Sequence, residues 1–156
     1  MRLTLFAIGQ RRPRWEQQGF ENYACRLPNE CKLDLVEIPA AKRPKQGNAD
    51  RAITEEGDRL LAAVPKGALT IALDEHGEAW TTEALAANLR DWMQHQSKVA
   101  LMIGGADGLA AACLQRAHRS WSLSPLTLPH GLVRILVAEQ VYRAWSILKN
   151  HPYHRA

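Results

Sequence analysis

Residues 108–156 contain a single acidic side chain, Glu139, against six Lys/Arg. Residues 1–107 carry 14 Lys/Arg against 15 Asp/Glu, so the formal charge of +4 belongs to the C-terminal third. Four of the six histidines (His118, His130, His151 and His154) fall there too. A basic region suits a polyanion such as nucleic acid. A merely solvated basic face explains the charge equally well. The chain also lacks any apolar run approaching the roughly 20 residues that span a bilayer. Its apolar stretch 3–8 is too short for a signal-peptide core, and no small-residue cleavage site follows it. These absences predict a cytoplasmic protein with no membrane partner. Cysteine is scarce and odd in number (Cys25, Cys31 and Cys113), with no CxxC spacing. That argues against a disulfide framework and against a cysteine zinc site. Internal repeats and low-complexity tracts are absent as well. A chain of 156 residues fits one domain, 1–156, with one adequate core.

What is present alternates between two periodicities. Stretches 3–8, 33–38, 69–73 and 99–103 read as strands. A helix is expected over 13–26, with Trp15, Phe20 and Tyr23 as candidate buried positions. Residues 39–47 form a basic, proline-containing loop, expected to be mobile. Asn48 is a plausible N-cap for a helix to about Val64, and Thr81 or Thr82 caps the next, which carries Leu85, Leu89, Trp92 and Met93 on one face. A short helix is expected near 109–117. Stretches 121–123 and 126–128 offer one more strand, interrupted near Pro125. A last helix runs from about His130 to Asn150, where Pro152 prevents easy continuation. Strands alternating with helices predict an α/β domain with a mainly parallel sheet flanked by helices. The last helix is apolar around most of its circumference, so it is expected to be buried on several sides, one of them against a second subunit.

Several segments carry candidate chemistry. Ile103-Gly104-Gly105-Ala106-Asp107-Gly108 places glycines at the carboxyl end of a strand, where backbone can approach a ligand closely. It is neither GxGxxG nor a P-loop, and a simple tight turn is the other reading. Leu73-Asp74 closes a neighbouring strand in a similar way, or is an ordinary strand end. The irregular, apolar segment Leu123-Ser124-Pro125-Leu126-Thr127-Leu128 can wrap a flat adenine ring with amides and aliphatic walls. A core strand with a bulge is its alternative. His130 sits at a helix start, where the positive dipole end disfavours protonation. His151 and His154 at i, i+3 have no further ligand with zinc-site spacing, so no metal is expected. Tyr153, His154 and Arg155 suit a nucleotide better: Tyr stacks on a base, Arg pairs with phosphate, and His or Arg helps a weak acid lose its proton. A disordered polar tail is the plain alternative.

Taken together and in order, Leu101-Met102-Ile103-Gly104-Gly105, Ser120-Trp121-Ser122-Leu123-Ser124, Leu126-Thr127-Leu128-Pro129-His130, Leu132-Val133-Arg134, Glu139-Gln140-Val141-Tyr142-Arg143-Ala144 and Asn150-His151-Pro152-Tyr153-His154-Arg155 resemble the SPOUT-class ribosomal RNA large subunit methyltransferase H family. Gly19-Phe20, Glu37-Ile38-Pro39, Lys42-Arg43, Glu55-Glu56-Gly57 and Leu73-Asp74 resemble it as well. One departure is Ala106-Asp107, where the family commonly has Pro-Glu. Both pairs keep a small or rigid residue followed by an acid. The resemblance implies an S-adenosylmethionine-dependent enzyme that methylates N3 of a pseudouridine in 23S rRNA within assembled ribosomes, acting as a homodimer. It implies a C-terminal trefoil knot, an exception to the general rule against knots. It also implies cofactor contacts at Leu73, Gly104 and Leu123-Ser124-Pro125-Leu126-Thr127-Leu128, with catalysis by Tyr153, His154 and Arg155. His154 is then the candidate base, and Arg134, Arg11, Arg12, Lys42 and Arg43 are expected to track phosphates. Two other classes remain open from the residues: a non-catalytic ribosome-associated RNA-binding factor, and a nucleotide-dependent oxidoreductase, which the missing GxGxxG opposes. A SPOUT enzyme with another RNA substrate is the nearer alternative.

Overall fold

Five strands, β1 (Arg2–Ile8), β2 (Lys32–Ile38), β3 (Leu69–Ala79), β4 (Lys98–Ile103) and β5 (Arg119–Ser122), form one sheet in the order β2-β1-β4-β3-β5. Every pairing in it is parallel. The structure is a computed structural model that describes residues 1–155, so Ala156 lies outside the described residues. The helices are α1 (Arg14–Ala24), α2 (Asp50–Ala63), α3 (Thr82–His95), α4 (Ala111–Arg116) and α5 (His130–Leu148), with 3-10 turns at Asn29–Cys31 and Pro152–His154.

The strand sequences explain the layering. A parallel strand covered on both faces reads as a continuous apolar run, with side chains sorted by period two. Leu3, Leu5, Ala7, Val99 and Leu101 enter one core with Phe20 of α1, Leu89 of α3 and Val137 of α5. Phe6, Ile8, Ala100 and Met102 enter a second core with Leu60 of α2 and Cys113 of α4. Helices α1, α3 and α5 therefore cover one face, and α2 and α4 the other. Helix α5, apolar on most sides, is buried at Val137, Ala138, Val141 and Ala144. It leaves Leu132 and Leu136 exposed.

Four expectations are corrected. Trp15 is 55% exposed, not buried. Glu16 and Gly19 are the α1 positions that face α5, and a Cβ on Gly19 would meet Ile135 Cδ1 at 2.6 Å. Position 15 is turned about 100° from Glu16 and faces outward. Tyr23 is half-buried and Phe20 buried. Residues 126–128 are not a strand, because β5 ends at Ser122. Ser122 Oγ donates to the Ser124 carbonyl (3.1 Å), and Ser124 Oγ accepts from the Leu126 N–H (2.9 Å). Local serine bonds thus replace ladder bonds next to Pro125, which has no N–H to give. Strand β3 continues well past Leu73. Trp121 pairs with both Leu73 and Glu78, so residues 74–77 leave the ladder and return. Gly77 permits the return, since a Cβ there would meet the Ser120 and Trp121 backbone at 2.7 Å. Finally, Ala49 takes the N-cap position of α2, and Asn48 Oδ1 accepts from the Asp50 N–H at 3.3 Å. Thr81 caps α3 through the Ala84 N–H (3.0 Å), as the sequence predicts.

A candidate cofactor cleft and a distant C-terminal tail

In an all-parallel sheet every strand delivers its carboxyl end to one edge, where ligands of such folds gather. Where β3 leaves the ladder after Leu73, and at the ends of β4 and β5, lies a cavity of about 330 Å³. Its wall is built from Leu73 and Asp74, the turn after Ile103, the segment that leaves Trp121, and the first turn of α5. Of the residues singled out in the sequence, Leu73, Gly104, Leu123, Ser124, Leu126, Thr127 and Leu128 line it, and Pro125 does not. Leu126 is 71% exposed and stands at the rim.

The glycine turn shapes the floor. A Cβ on Gly104 would collide with the Gly108 carbonyl and the Leu109 nitrogen. The Gly108 N–H donates to the Gly105 carbonyl at 3.1 Å. Gly108 holds φ +85°, a left-handed conformation that glycine adopts without penalty. Asp107 accepts from Arg43 Nε and Nη2 at 3.2 and 3.1 Å. The acid of the Ala106-Asp107 departure is therefore engaged outside the cavity.

His130 and Arg134 join this turn to the rest of the edge. Arg134 is 2% exposed. It donates to Glu37 Oε2 (2.7 Å), the Gly9 carbonyl (2.9 Å) and His130 Nε2 (3.0 Å). One guanidinium therefore ties the ends of β1 and β2 to the first turn of α5. With its Nε2 lone pair occupied, the imidazole carries its proton on Nδ1. Burial, then the charges of Arg134 and Arg12, push His130 down from 6.5 to about 4. As pH falls through 6.5, the unfolded chain takes up this proton before the folded one does. Stability is therefore full above pH 6.5 and falls progressively towards about pH 4. A His130→Gln variant is expected to show a flatter melting temperature across that window than the parent. Parallel profiles in thermal melts would remove His130 from the account.

The charged side chains on the cavity wall are carboxylates, Asp74 and Glu75, with no lysine or arginine among the lining residues. With His130 neutral, the cavity suits a neutral or cationic guest.

The tail lies elsewhere. Tyr153 Oη donates to Glu139 Oε1 at 3.0 Å. Arg143 donates to the same carboxylate (2.8 Å) and lies 5.0 Å over the Tyr153 ring. The ring of Tyr142 is 4.5 Å away, centroid to centroid. Burial, then Glu139, pushes the Tyr153 phenol up to about 12, so it is a hydrogen-bond donor at neutral pH. His154 Nδ1 is buried without a hydrogen-bond partner among the described residues. Arg155 is exposed. His151 Nδ1 accepts the Tyr153 N–H at 3.1 Å. Glu139 is nine residues past His130, about 13 Å along the helix axis. None of Tyr153, His154 and Arg155 lines the cavity.

Sequence reasoning missed three anchors: Arg134, Glu139, and the group of Arg43, Glu56 and Asp107. It also assigned Arg12, Arg43 and Arg134 to phosphate contacts, and the structure corrects this. Arg12 is paired with Glu16 (2.7 Å), Arg43 with Glu56 and Asp107, and Arg134 with Glu37. Arg11 and Lys42 remain exposed. No helix among the described residues is long and apolar enough to cross a membrane.

Comparison with known proteins agrees with the architecture. Residues 1–154 match the family described as "Predicted SPOUT methyltransferase". A protein of Nitrosococcus oceani named ribosomal RNA large subunit methyltransferase H is 53% identical over 156 residues, covering 100% of this chain and 99% of that protein. Its namesake in Thioalkalivibrio sulfidiphilus is 52% identical, covering 99% of each. The crystal structure of a probable methyltransferase from Bordetella pertussis Tohama I superposes with a TM-score of 0.55 at 19% identity, over 91% of this chain and 95% of that one, a likeness of fold. The chain belongs to the ribosomal RNA large subunit methyltransferase H family of SPOUT methyltransferases.

Proposed function

We propose that this protein transfers the methyl group of S-adenosylmethionine to N3 of a pseudouridine in 23S rRNA, acting on assembled ribosomes in the cytoplasm as a homodimer. The reading treats the chain as one domain, 1–156, and includes the C-terminal trefoil knot of its class. The observation that carries it is the cavity at the ends of β4 and β5 and at the point where β3 leaves the ladder. Its volume of about 330 Å³ falls within the ~300–1,000 Å³ of small-molecule sites. Gly104 leaves no room for a side chain. The wall offers aliphatic surface, free backbone groups and carboxylates but no fixed cation, which fits a sulfonium nucleoside. When bound there, S-adenosylmethionine supplies an activated methyl group. Leu73, Gly104 and the segment from Leu123 to Leu128 would hold it, with Pro125 stiffening that segment from outside.

The chain's own residues then have two tasks. They must align the acceptor nitrogen, and they must favour the deprotonated form of a weakly acidic imide. Alignment alone can supply much of the acceleration. Arg155 stabilises the developing imide anion. Tyr153, held by Glu139, shapes the base pocket as a neutral phenol. His154, with its buried Nδ1, takes the imide proton. Because a subunit's tail and cavity are apart, the tail that completes each site comes from the second subunit. Trp15, Leu132 and Leu136, exposed on α1 and α5, supply the apolar face on which the subunits meet.

Mass spectrometry of 23S rRNA from cells lacking the protein tests the function. One methylated pseudouridine is expected to disappear and to return when the protein is restored. An unchanged 23S profile would reject the reading, and loss of a methyl group from a different RNA would redirect it.

A further inference from the structure

The basic loops at the carboxyl edge share a pattern that the ion pairs reveal. In segment 11–14 the middle cation, Arg12, is half-buried and makes two hydrogen bonds to Glu16, at 2.7 and 2.9 Å. Its neighbours Arg11 and Arg14 are exposed and have no ion pair or hydrogen bond among the described residues. In segment 42–45 the middle cation, Arg43, is half-buried against Glu56 and Asp107, while Lys42 and Lys45 are exposed and equally free among the described residues. Each loop is thus fastened by one arginine and presents two cations to solvent.

Both fasteners sit behind residues that line the cavity or adjoin its wall. The Arg12 side chain and His130 Nε2 flank Gly9, 3.8 and 3.9 Å from where its Cβ would stand, and His130 lines the cavity. Asp107, which Arg43 holds at 3.1 Å, belongs to the glycine turn, whose Ala106 and Gly108 also line it. Glu16 is on α1, which covers one face of the sheet, and Glu56 is on α2, which covers the other. The two loops leave adjacent strands, joined where the Gly9 N–H donates to the Ile38 carbonyl at 2.7 Å. They therefore leave the carboxyl edge, beside the cavity, towards opposite faces of the sheet.

We infer that these loops are two cationic arms that grip the RNA backbone on either side of the target base, with Arg11 and Arg14 on one arm and Lys42 and Lys45 on the other. The inference rests on the cavity being the methyl-transfer site. Phosphate contacts fix register and orientation without reading sequence. Two arms on opposite faces of the sheet would hold a single-stranded segment taut along the edge that carries the cavity. Arg12 and Arg43 act through the loops they fasten.

The test uses the full chain and a quadruple variant, Arg11→Ala, Arg14→Ala, Lys42→Ala and Lys45→Ala. Three readouts are taken: methyl transfer to ribosomes from cells lacking the protein, binding of a fluorescent uridine 12-mer, and thermal melting. All four positions are exposed, so melting is expected to be unchanged. The KM for ribosomes is expected to rise at least about 10-fold with kcat within about twofold. The slope of log affinity for the 12-mer against log salt is expected to drop by about 0.7 for each phosphate no longer neutralised, or about 3 for all four. Unchanged KM and unchanged slope would overturn the proposal. So would a raised KM with normal 12-mer binding, because the arms would then meet an acidic protein surface. If the parent chain transfers no methyl group at all, the cavity reading fails, and the 12-mer still reports on the arms separately.

Discussion

Removal of residues 151–156 is expected to lower methyl transfer by at least about 1,000-fold while leaving S-adenosylmethionine affinity within about threefold. The cavity explains the second half of this result. Its wall runs from β3 to the start of α5 and contains no tail residue, so the groups proposed to hold the cofactor survive the deletion. The first half follows from what the tail adds. A preorganised donor aimed at developing charge contributes about 10²–10³ in kcat, and the acceptor base must also be positioned. Arg155→Ala alone is therefore expected to cost on the order of 100-fold in kcat. Tyr153→Phe should cost less, because its ring still packs on Tyr142 and beneath Arg143 while only the hydroxyl bond to Glu139 is lost. The deletion uncovers Tyr142, so a melting curve must accompany it. Single-turnover transfer and titration calorimetry read the two halves. A cofactor affinity that falls in step with the rate would reject this division of labour.

The fold was legible where local pattern and global burial agree. Strands β1 and β4 are covered on both faces and read as apolar runs, broken in β1 only by Thr4, so they could be placed to within a residue or two. The end of β4 and the segment after Trp121 were legible as cavity wall because glycine, proline and free backbone mark places where a ladder cannot continue. Three things were not legible. The first is side-chain pairing at a distance: Glu37 meets Arg134 across 97 positions, and Arg43 meets Asp107 across 64. Charge alone presents such arginines as free to bind phosphate, and only packing shows which carboxylate has engaged them. The second is the face of a short helix. Trp15 reads as core by hydrophobicity, but Gly19 and Glu16 decide which side of α1 meets α5. The third is the detour of residues 74–77, because a strand that leaves a ladder and rejoins it at Trp121 has no periodic signature. The residue types of Tyr153, His154 and Arg155 suit a nucleotide site, with a polar tail as the alternative, and only the resemblance assigns them to catalysis.

In the proposed homodimer, two defective subunits are expected to repair each other. Gly104→Val forces a branched side chain into the space held by the Gly108 carbonyl and the Leu109 nitrogen. The neighbours there are backbone, which cannot rotate aside, so the turn must open and the cofactor cavity is lost. Homodimers of this variant should show neither cofactor binding nor transfer. Homodimers lacking residues 151–156 keep the cavity and lose the tail. When the two chains are co-expressed with different tags, random pairing makes about half of the dimers mixed. Each mixed dimer holds one intact cavity, on the shortened chain, and one intact tail, on the Gly104→Val chain. If the tail serves the partner's cavity, one of its two sites is complete, and the mixture should recover about one quarter of the parent's activity. If the tail swings back along α5 to serve its own subunit, every site in every pairing lacks one part, and recovery is nil. The roughly 13 Å between Glu139 and the start of α5, with Tyr153 bonded to Glu139, favours the first outcome. Purifying dimers that carry both tags raises the expected value to about one half. Zero activity in those dimers, with normal cofactor binding at one site per dimer, would place the tail in its own subunit and overturn the shared-site reading.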